Sequence, residues 1–293
     1  MPNYLCAHLT SPRCLLSQFS LATLALLPLL LNAQDLPEDI ILPTPAGLPA
    51  TDIRHYYEDL LRLALNKTQK TDGNYIISYG DKKVGPERER AMVIADTGLT
   101  VIWGSVTPER MTQLQVVPVD IVKNLNSYRA LIIRSDEQTR FNNINNLSEL
   151  QPLTGGSGIN WAHNRIFEAN GLNILTSGSF AGIFKMLAAG RVDYVARAPY
   201  EVLGEIFDYK AYDIKIEERL LIKFNQPLNY SFFVNKHNTK LANRLERGLH
   251  LAQADGSLDA LFFHYPSFAY GYQLVQNAKH LDIEINNPSS ITP

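Results

Sequence analysis

The residues best suited to binding chemistry follow a predicted β-strand, in the stretch TVIWGSVTPERM, Thr100–Met111. The apolar residues before Gly104 favour a strand, whereas Thr107 is a suitable helix N-cap before a proline at the first helical position. Arg110 then falls in the first helical turn, where a cation opposes the helix dipole unless an anion lies beside it. The Ser105 hydroxyl, free backbone N–H groups and the Arg110 guanidinium would together suit a carboxylate.

The same residues also allow a structural interpretation. Arg110 would then be a solvated side chain on a well-capped helix. Trp103 lies on the same side of the strand as Ser105 if the strand geometry continues. From there its ring could stack on a planar or cationic ligand, or it could pack in the core.

Two other predicted strands end in residues suited to binding. The segment GGSGIN, residues 155–160, is a glycine-rich turn that could present backbone N–H groups to a small anion. It lacks the lysine and the Ser/Thr pair of a phosphate-binding loop, so dinucleotide binding is weakly supported. Asn160 is the expected N-cap of a helix from about Trp161. Arg197, in VDYVARAP, could face a ligand or pair with an acid such as Glu201.

The elements that position these three strand exits alternate between strand and helix along the chain. Apolar residues recur at helical spacing between Thr51 and Asn66, and short apolar strands such as YRALIIR are followed by further helical patterns. This order predicts an α/β fold built on mostly parallel sheets. Ligands of such sheets bind beyond the carboxyl ends of the strands, and this rule makes the three exits candidate binding positions.

The first 33 residues have the pattern of a secretory signal peptide. Arg13 is the only charged residue before Asp35, and the apolar run between them reaches a small residue at Ala33, where we expect cleavage. The alternative is a membrane anchor, but the polar residues and Pro28 make the run marginal for crossing about 30 Å of hydrocarbon. Both cysteines lie in this segment, so the mature chain would have no disulfide, which fits a bacterial periplasm.

Composition and motifs exclude several classes of function. The chain has 293 residues, 45% hydrophobic and 19% charged, with a net charge of -2, which gives no indication of nucleic-acid binding. The sequence has no G-x-S-x-G motif and no metal-binding histidine spacing. We therefore expect no cofactor, no metal and no catalytic residue. An enzyme at this site would have to use Glu109 or Glu201.

Four motifs in order give the chain a resemblance to the type 2 periplasmic solute-binding proteins, in particular the polar amino-acid-binding receptors of ABC importers (family 3). The motifs are GLTVIWGSVTPERM, LSEL…GGSGINW, LAAGRVDYVARAPYEV and LNYSFFVNKHNTKLANRLERGLHLAQADGSLDALFFHY. Together they cover most of residues 38–265. The resemblance implies two α/β lobes, each with a mostly parallel sheet flanked by helices, joined by two hinge crossovers and closing over a ligand. We expect the first lobe to comprise residues 34–126 and 237–293, and the second lobe residues 127–236.

The resemblance also implies a ligand site. By motif position, Ser105 and Arg110 hold the carboxylate of the ligand, Trp103 lies in the pocket, and residues 158–160 complete the carboxylate site from the second lobe. The expected ligand-binding residues are Trp103, Ser105, Thr107, Arg110, Gly158, Ile159, Asn160 and Arg197.

One position departs from the amino-acid-binding pattern. Ala198 stands where those receptors have an acid that accepts the α-ammonium group of the ligand, and the next acid is Glu201. An ammonium group buried here would be uncompensated, which is costly. We therefore expect a carboxylate without an ammonium group, or a different polar molecule.

The sequence thus predicts a monomeric periplasmic protein that captures a small polar or anionic ligand for an ABC-type permease or a membrane sensor. Two alternatives stay open. One is an enzyme on the same fold, resembling cyclohexadienyl dehydratase. The other is an interaction protein that binds no small molecule.

Overall fold

The computed structural model describes residues 37–45, 47 and 52–288. The predicted signal peptide, residues 1–33, lies outside this part of the chain. No helix of the described residues is long and apolar enough to cross a membrane.

The described residues alternate between strands and helices along most of their length. The strands are β1 Glu38–Leu42, β2 Tyr75–Tyr79, β3 Val101–Ser105, β4 Leu114–Val116, β5 Tyr128–Arg134, β6 Thr154–Gly158, β7 Asn173–Ser177, β8 Tyr194–Arg197, β9 Ile214–Phe224, β10 Tyr230–Asn235 and β11 Leu281–Ile285. The helices are α1 Arg54–Asp72, α2 Pro86–Ile94, α3 Pro108–Gln113, α4 Gln138–Phe141, α5 Leu147–Leu150, α6 Asn164–Ala169, α7 Phe180–Ala188, α8 Val202–Asp208, α9 Thr239–Ala254, α10 Ser257–His264 and α11 Pro266–Gln276. Short 3₁₀ helices cover Leu125–Ser127, Ser135–Glu137 and Lys210–Tyr212.

The larger sheet has six strands in the order β11-β9-β5-β8-β6-β7. Strand β5 runs antiparallel to both of its neighbours, and the other five strands run in one direction. Alternate β5 residues enter different cores: Leu131 and Ile133 enter one, Ala130 and Ile132 the other. A strand buried on both faces reads as a continuous apolar run, which explains the sequence ALII. We call this sheet and helices α4–α8 the second lobe.

The first lobe is built on two smaller sheets. Strand β10 lies between β3 and β4 and is antiparallel to both, while β1 and β2 form a parallel pair. The backbone N–H of Thr100, just before β3, donates to the carbonyl of Ile41 in β1 at 2.8 Å and joins the two sheets. Helices α1 and α9 cover them with apolar stripes, and the predicted stripe on α1 is buried from Tyr56 to Leu65.

The chain crosses between the lobes at residues 117–127 and 225–229, in agreement with the two predicted crossovers. The crossovers are hydrogen-bonded to each other. Asn126 donates from Nδ2 to the carbonyl of Leu228 at 2.8 Å, and the Leu228 N–H donates to Ser127 Oγ at 2.9 Å. The second crossing comes before Tyr230. The expected end of the second lobe at residue 236 therefore needs correction. Strand β10 belongs to the first-lobe sheet, because its apolar face packs in the first core.

A third crossing was not predicted from the sequence. Strand β11 pairs in parallel with β9 at the edge of the second-lobe sheet, so the expected assignment of all of residues 237–293 to the first lobe needs correction. The inward residues of LDIEI include Ile283 and Ile285, which enter a second-lobe core, and this burial explains the pairing.

Helix α11 carries the chain across this third crossing. Its Phe268 lies in the first-lobe core, and its Leu274 packs against a second-lobe core. Phe268 also stacks on Tyr200 from the turn after β8, with ring centroids 4.9 Å apart. The two lobes therefore share apolar contacts beyond their hinge.

Candidate ligand-binding site

The ends of β3, β6 and β8 and the beginning of β5 supply the candidate residues. Strand β5 is antiparallel to β8, so its first residues lie at the edge of the sheet where β6 and β8 end. Thr107 caps α3 as predicted: its Oγ1 accepts from the backbone N–H of Arg110 at 3.3 Å. This cap fixes the turn that separates Ser105 from Arg110.

Arg110 folds back over the end of β3. Its Nη1 donates to the carbonyl of Ser105 at 2.9 Å, and its guanidinium carbon lies 5.9 Å from the centroid of the Phe233 ring. A Cβ atom at Gly104 would lie 2.0 Å from Nη1, so any larger residue here would displace the guanidinium. Burial lowers the pKa of Arg110 from its usual value, and no carboxylate contacts this guanidinium within the described residues.

The Arg110 guanidinium and the Ser105 hydroxyl approach the strand from different sides. Neighbouring strand residues point to opposite faces, so a guanidinium in the space of a Gly104 side chain lies opposite Trp103 and Ser105. Both groups are nevertheless at the carboxyl end of β3. They can meet a common anion only beyond that end.

Ser105 is linked to the first crossover. Its Oγ accepts from Nδ2 of Asn126 at 3.1 Å, and the Oδ1 of Asn126 accepts from the Tyr200 hydroxyl at 3.5 Å. The carbonyl of Asn126 accepts from Arg129 Nη1 at 2.8 Å. Ser105 and Asn126 therefore form a short polar bridge from the first lobe to the second.

Trp103 belongs to a wall of aromatic rings. It is half-buried, lies 5.2 Å from Tyr57 at an angle of 32°, and packs against the first-lobe core. Tyr57 stacks in turn on Tyr230, with ring centroids 5.4 Å apart. The buried Tyr57 hydroxyl lies within hydrogen-bonding reach of the Tyr200 and Tyr230 hydroxyls. Burial raises the pKa of Tyr230 to about 12, so this residue stays a hydroxyl donor near neutral pH.

The predicted glycine-rich turn is largely a strand. Thr154–Gly158 forms β6, and only Ile159 and Asn160 lie in the turn that follows. Asn160 does not cap a helix as predicted, because helix α6 begins later, at Asn164. Asn160 instead adopts a left-handed conformation with φ 63°, which asparagine tolerates.

The turn after β6 is partly covered. The Trp161 ring lies where a Cβ atom of Gly158 would stand, with Nε1 only 2.2 Å from that position. Ile159 is 56% exposed. Asn164 holds the turn by donating from Nδ2 to the Gly158 carbonyl at 2.9 Å. These contacts fix the loop on the second lobe.

Arg197 is bound by acids of its own chain. Its Nε lies 2.7 Å from Oε1 of Glu205, and its Nη2 lies 2.8 Å from Oε1 of Glu201. Its guanidinium carbon lies 4.3 Å from the centroid of the Trp161 ring. Of the two roles predicted for Arg197, the structure shows pairing with nearby acids, Glu201 and Glu205.

A buried polar chain in the second lobe was missed by sequence reasoning. Arg129 donates from Nε to Nδ1 of His163 at 3.4 Å, and His163 Nε2 lies 3.4 Å from Ser157 Oγ. Ser157 Oγ donates to Asn164 Oδ1 at 2.6 Å, and Asn164 bonds to Gly158 as described above. The only signal in the sequence was an arginine inside the apolar strand YRALIIR.

His163 is neutral in this chain. Burial lowers its pKa well below the ordinary value, and the charges of Arg129 and Arg197 lower it further. A neutral histidine that accepts at Nδ1 carries its proton on Nε2. It therefore passes a hydrogen bond on to Ser157.

The two acids that would serve an enzyme are both engaged elsewhere. Glu109 is half exposed and pairs with Arg90 at 3.3 Å. Glu201 contacts Arg197, and its Oε2 accepts from the Ala198 N–H at 2.9 Å. The described residues contain no group of three or more His, Cys, Asp or Glu side chains arranged to hold a metal ion.

Comparison with known proteins identifies the fold through structure alone. No family model matches the sequence, and no curated protein matches it. Among solved structures, an ancestral arginine-binding protein bound to glutamine superposes with a TM-score of 0.58 at 16% identity, over 79% of this chain and 99% of that protein. A histidine kinase sensor domain with similarity to periplasmic binding proteins gives a TM-score of 0.57 at 14% identity, over 80% and 97%. The substrate-binding protein of an amino acid ABC transporter gives 0.53 at 14% identity, over 72% and 87%.

These similarities confirm the predicted fold class. The chain has the two-lobe α/β fold of type 2 periplasmic binding proteins, on a mostly parallel central sheet flanked by helices. At 14–16% identity the similarity concerns the fold and does not identify the ligand.

Proposed function

We propose that this protein captures a small carboxylate-bearing ligand between its two lobes and does not act as an enzyme. The observation that carries the proposal is Arg110, a largely buried guanidinium at the end of β3 that no acid of the described chain neutralises. Burying a cation without a partner is costly, and a ligand carboxylate would offset that cost. The partly exposed Ser105 adds a hydroxyl group at the same end of β3.

The ligand of this proposal has no ammonium group. Residue 198 is alanine, and the two acids that follow it, Glu201 and Glu205, are occupied by Arg197. An ammonium group in the cleft would therefore lack a carboxylate partner on this wall. The proposed ligand therefore differs from the ligands of the amino-acid-binding proteins whose fold the chain shares.

The proposed location is the periplasm, after removal of residues 1–33. Proteins of the same fold include the substrate-binding protein of a transporter and the sensor domain of a histidine kinase. We propose that the chain works as a monomer and passes its ligand to a permease or reports it to a membrane sensor. Its charge and composition support no role with nucleic acids.

Isothermal titration with simple carboxylates and their uncharged amides tests the proposed function. We expect a carboxylate to bind and Arg110→Ala to weaken that binding about tenfold or more, because hydrogen bonds to charged groups contribute about 1.5–3 kcal/mol. Arg88→Ala removes an exposed arginine of α2 and is the matched control, with unchanged affinity expected. Equal affinity of wild type and Arg110→Ala for a confirmed ligand would refute the carboxylate assignment.

A second candidate is an interaction protein that binds no small molecule. It is favoured by the aromatic packing between the lobes, where Tyr200 of the second lobe lies in the first-lobe core and stacks on Phe268. The two candidates differ in thermal stability. A ligand that binds the folded state raises the unfolding temperature, whereas an interaction protein shows no shift with any carboxylate.

A further inference from the structure

Arg129 is a second buried arginine without an acid partner. It is 3% exposed, and its contacts are the carbonyls of Asn126 and Tyr128, at 2.8 and 2.6 Å, the neutral His163, and the Phe224 ring 5.0 Å away. None of these contacts carries a negative charge.

The position of Arg129 places it at the binding edge of the second lobe. Ala130 pairs with Arg197 at the end of the β5–β8 ladder, so Arg129 and Ala198 come next on these neighbouring strands. Glu201 is a nearby acid whose negative charge interacts with that of Arg129. It is, however, bonded to Arg197 and to the backbone N–H of Ala198. The counterion of Arg129 would therefore have to come from outside the described residues.

Arg129 and Arg110 lie at the two ends of one polar bridge. Arg110 bonds to the carbonyl of Ser105, the Ser105 hydroxyl bonds to Asn126, and the carbonyl of Asn126 bonds to Arg129. One guanidinium thus stands on the first lobe and the other at the beginning of the second. Each lacks a counterion of its own.

We infer that Arg129 binds a second anionic group of the ligand, so that the ligand is a dicarboxylate with one carboxylate held by Arg110 and the other by Arg129. This inference rests on the proposed function, because it assumes that Arg110 holds a carboxylate. The polar chain from Arg129 through His163 and Ser157 to Asn164 fixes the arginine relative to the loop at Gly158. A dianion bridging both arginines would draw the lobes together.

The test compares succinate, glutarate and adipate with their half-amides, which keep the length and lose one charge. We expect the best dicarboxylate to bind the wild-type protein about tenfold or more tightly than its half-amide. Arg129→Gln should bring this ratio close to one, whereas Arg165→Gln, which removes an exposed arginine of α6, should leave it unchanged. Arg129→Lys keeps a positive charge and should retain part of the preference.

The outcomes separate this inference from the proposed function. If half-amides bind as tightly as dicarboxylates and Arg110→Ala weakens both, the second anion site is wrong and the proposed function stands. A preference that survives in Arg129→Gln also overturns the inference. Absence of binding by every compound contradicts both proposals. Even where an Arg129 variant fails to fold, a wild-type ratio close to one overturns the inference.

Discussion

Gly104 determines where the charge of Arg110 lies. Without a Cβ atom at residue 104, the guanidinium can settle against β3, where it reaches the carbonyl of Ser105. Any larger side chain would occupy this space and turn the arginine outward. Gly104 in β3 therefore sets the position of the Arg110 guanidinium at the candidate site.

The residue types of the candidate site were predictable, but their directions were not. Ser105, Thr107 and Arg110 were identified from a strand exit, a cap and a proline, which are local signals. The pairing of Arg197 with Glu205 depends on how the turn after β8 directs α8, which no local pattern specifies. Arg129 was missed because an arginine at the beginning of an apolar strand is most simply explained by solvation at the strand end.

His163 gives a prediction about stability and pH. Its pKa is held well below 6.5 in the folded state, so the histidine stays neutral there while the unfolded chain takes up a proton near pH 6.5. Below that pH the unfolded state binds more protons, and stability falls as pH falls. We expect urea unfolding to show a loss of about 1.4 kcal/mol from this group between about pH 7.5 and about pH 5.5.

The matched variant for this measurement is His163→Gln, which keeps hydrogen-bonding groups but does not titrate. Its stability should fall less over the same pH interval, by the amount assigned to His163. Identical pH dependence of the two proteins would contradict the neutral buried histidine.

At the level of elements, most strands and helices follow from their patterns. The apolar stripe of α1, the Ser179 cap of α7 and the Gly190 stop after it are local features, and the structure contains all three. Strand β11 shows the limit of such reasoning. LDIEI alternates apolar and acidic residues, as a half-buried strand should. Its partner β9 lies about sixty residues earlier, and no local signal identifies that partner.

Helix α11 gives a prediction about the packing between the lobes. A Cβ atom at Gly271 would lie 2.7 Å from the backbone nitrogen of Tyr200 and 2.8 Å from the carbonyl carbon of Pro199. Backbone atoms cannot move aside cheaply, so Gly271→Ala should destabilise the protein by about 1–3 kcal/mol, measured by urea unfolding.

Gly204 in α8 is the matched control for Gly271. It is exposed, and a Cβ atom there would have no neighbour within 4 Å. Gly204→Ala should therefore stabilise its helix by about 0.5–1 kcal/mol. The same change at two helical glycines should have opposite signs, and two stabilising results would show that α11 does not press on the turn after β8.

At the level of the whole molecule, the third crossing limits how independently the lobes can behave. Two crossovers alone would leave a hinge, but α11 and β11 connect the first-lobe core to the edge of the second-lobe sheet. The sequence motifs predicted the two-lobe fold because they mark strand exits in a fixed order. They could not predict the third crossing, which follows the last motif and depends on a long-range strand pairing.

The two tryptophans allow the coupling between the lobes to be measured directly. Trp103 lies in β3 of the first lobe and Trp161 in the loop after β6 of the second, and the chain has no other tryptophan. Trp161→Phe leaves a fluorescence probe in the first lobe, and Trp103→Phe leaves one in the second. Because α11 and β11 join the lobes, we expect both probes to report one coincident urea transition.

Ile283→Ala, which truncates a residue of β11 that is 3% exposed, should shift both transitions together by about 2–5 kcal/mol. A shift reported by Trp161 alone would mean that the second lobe unfolds independently and that the third crossing does not couple the lobes.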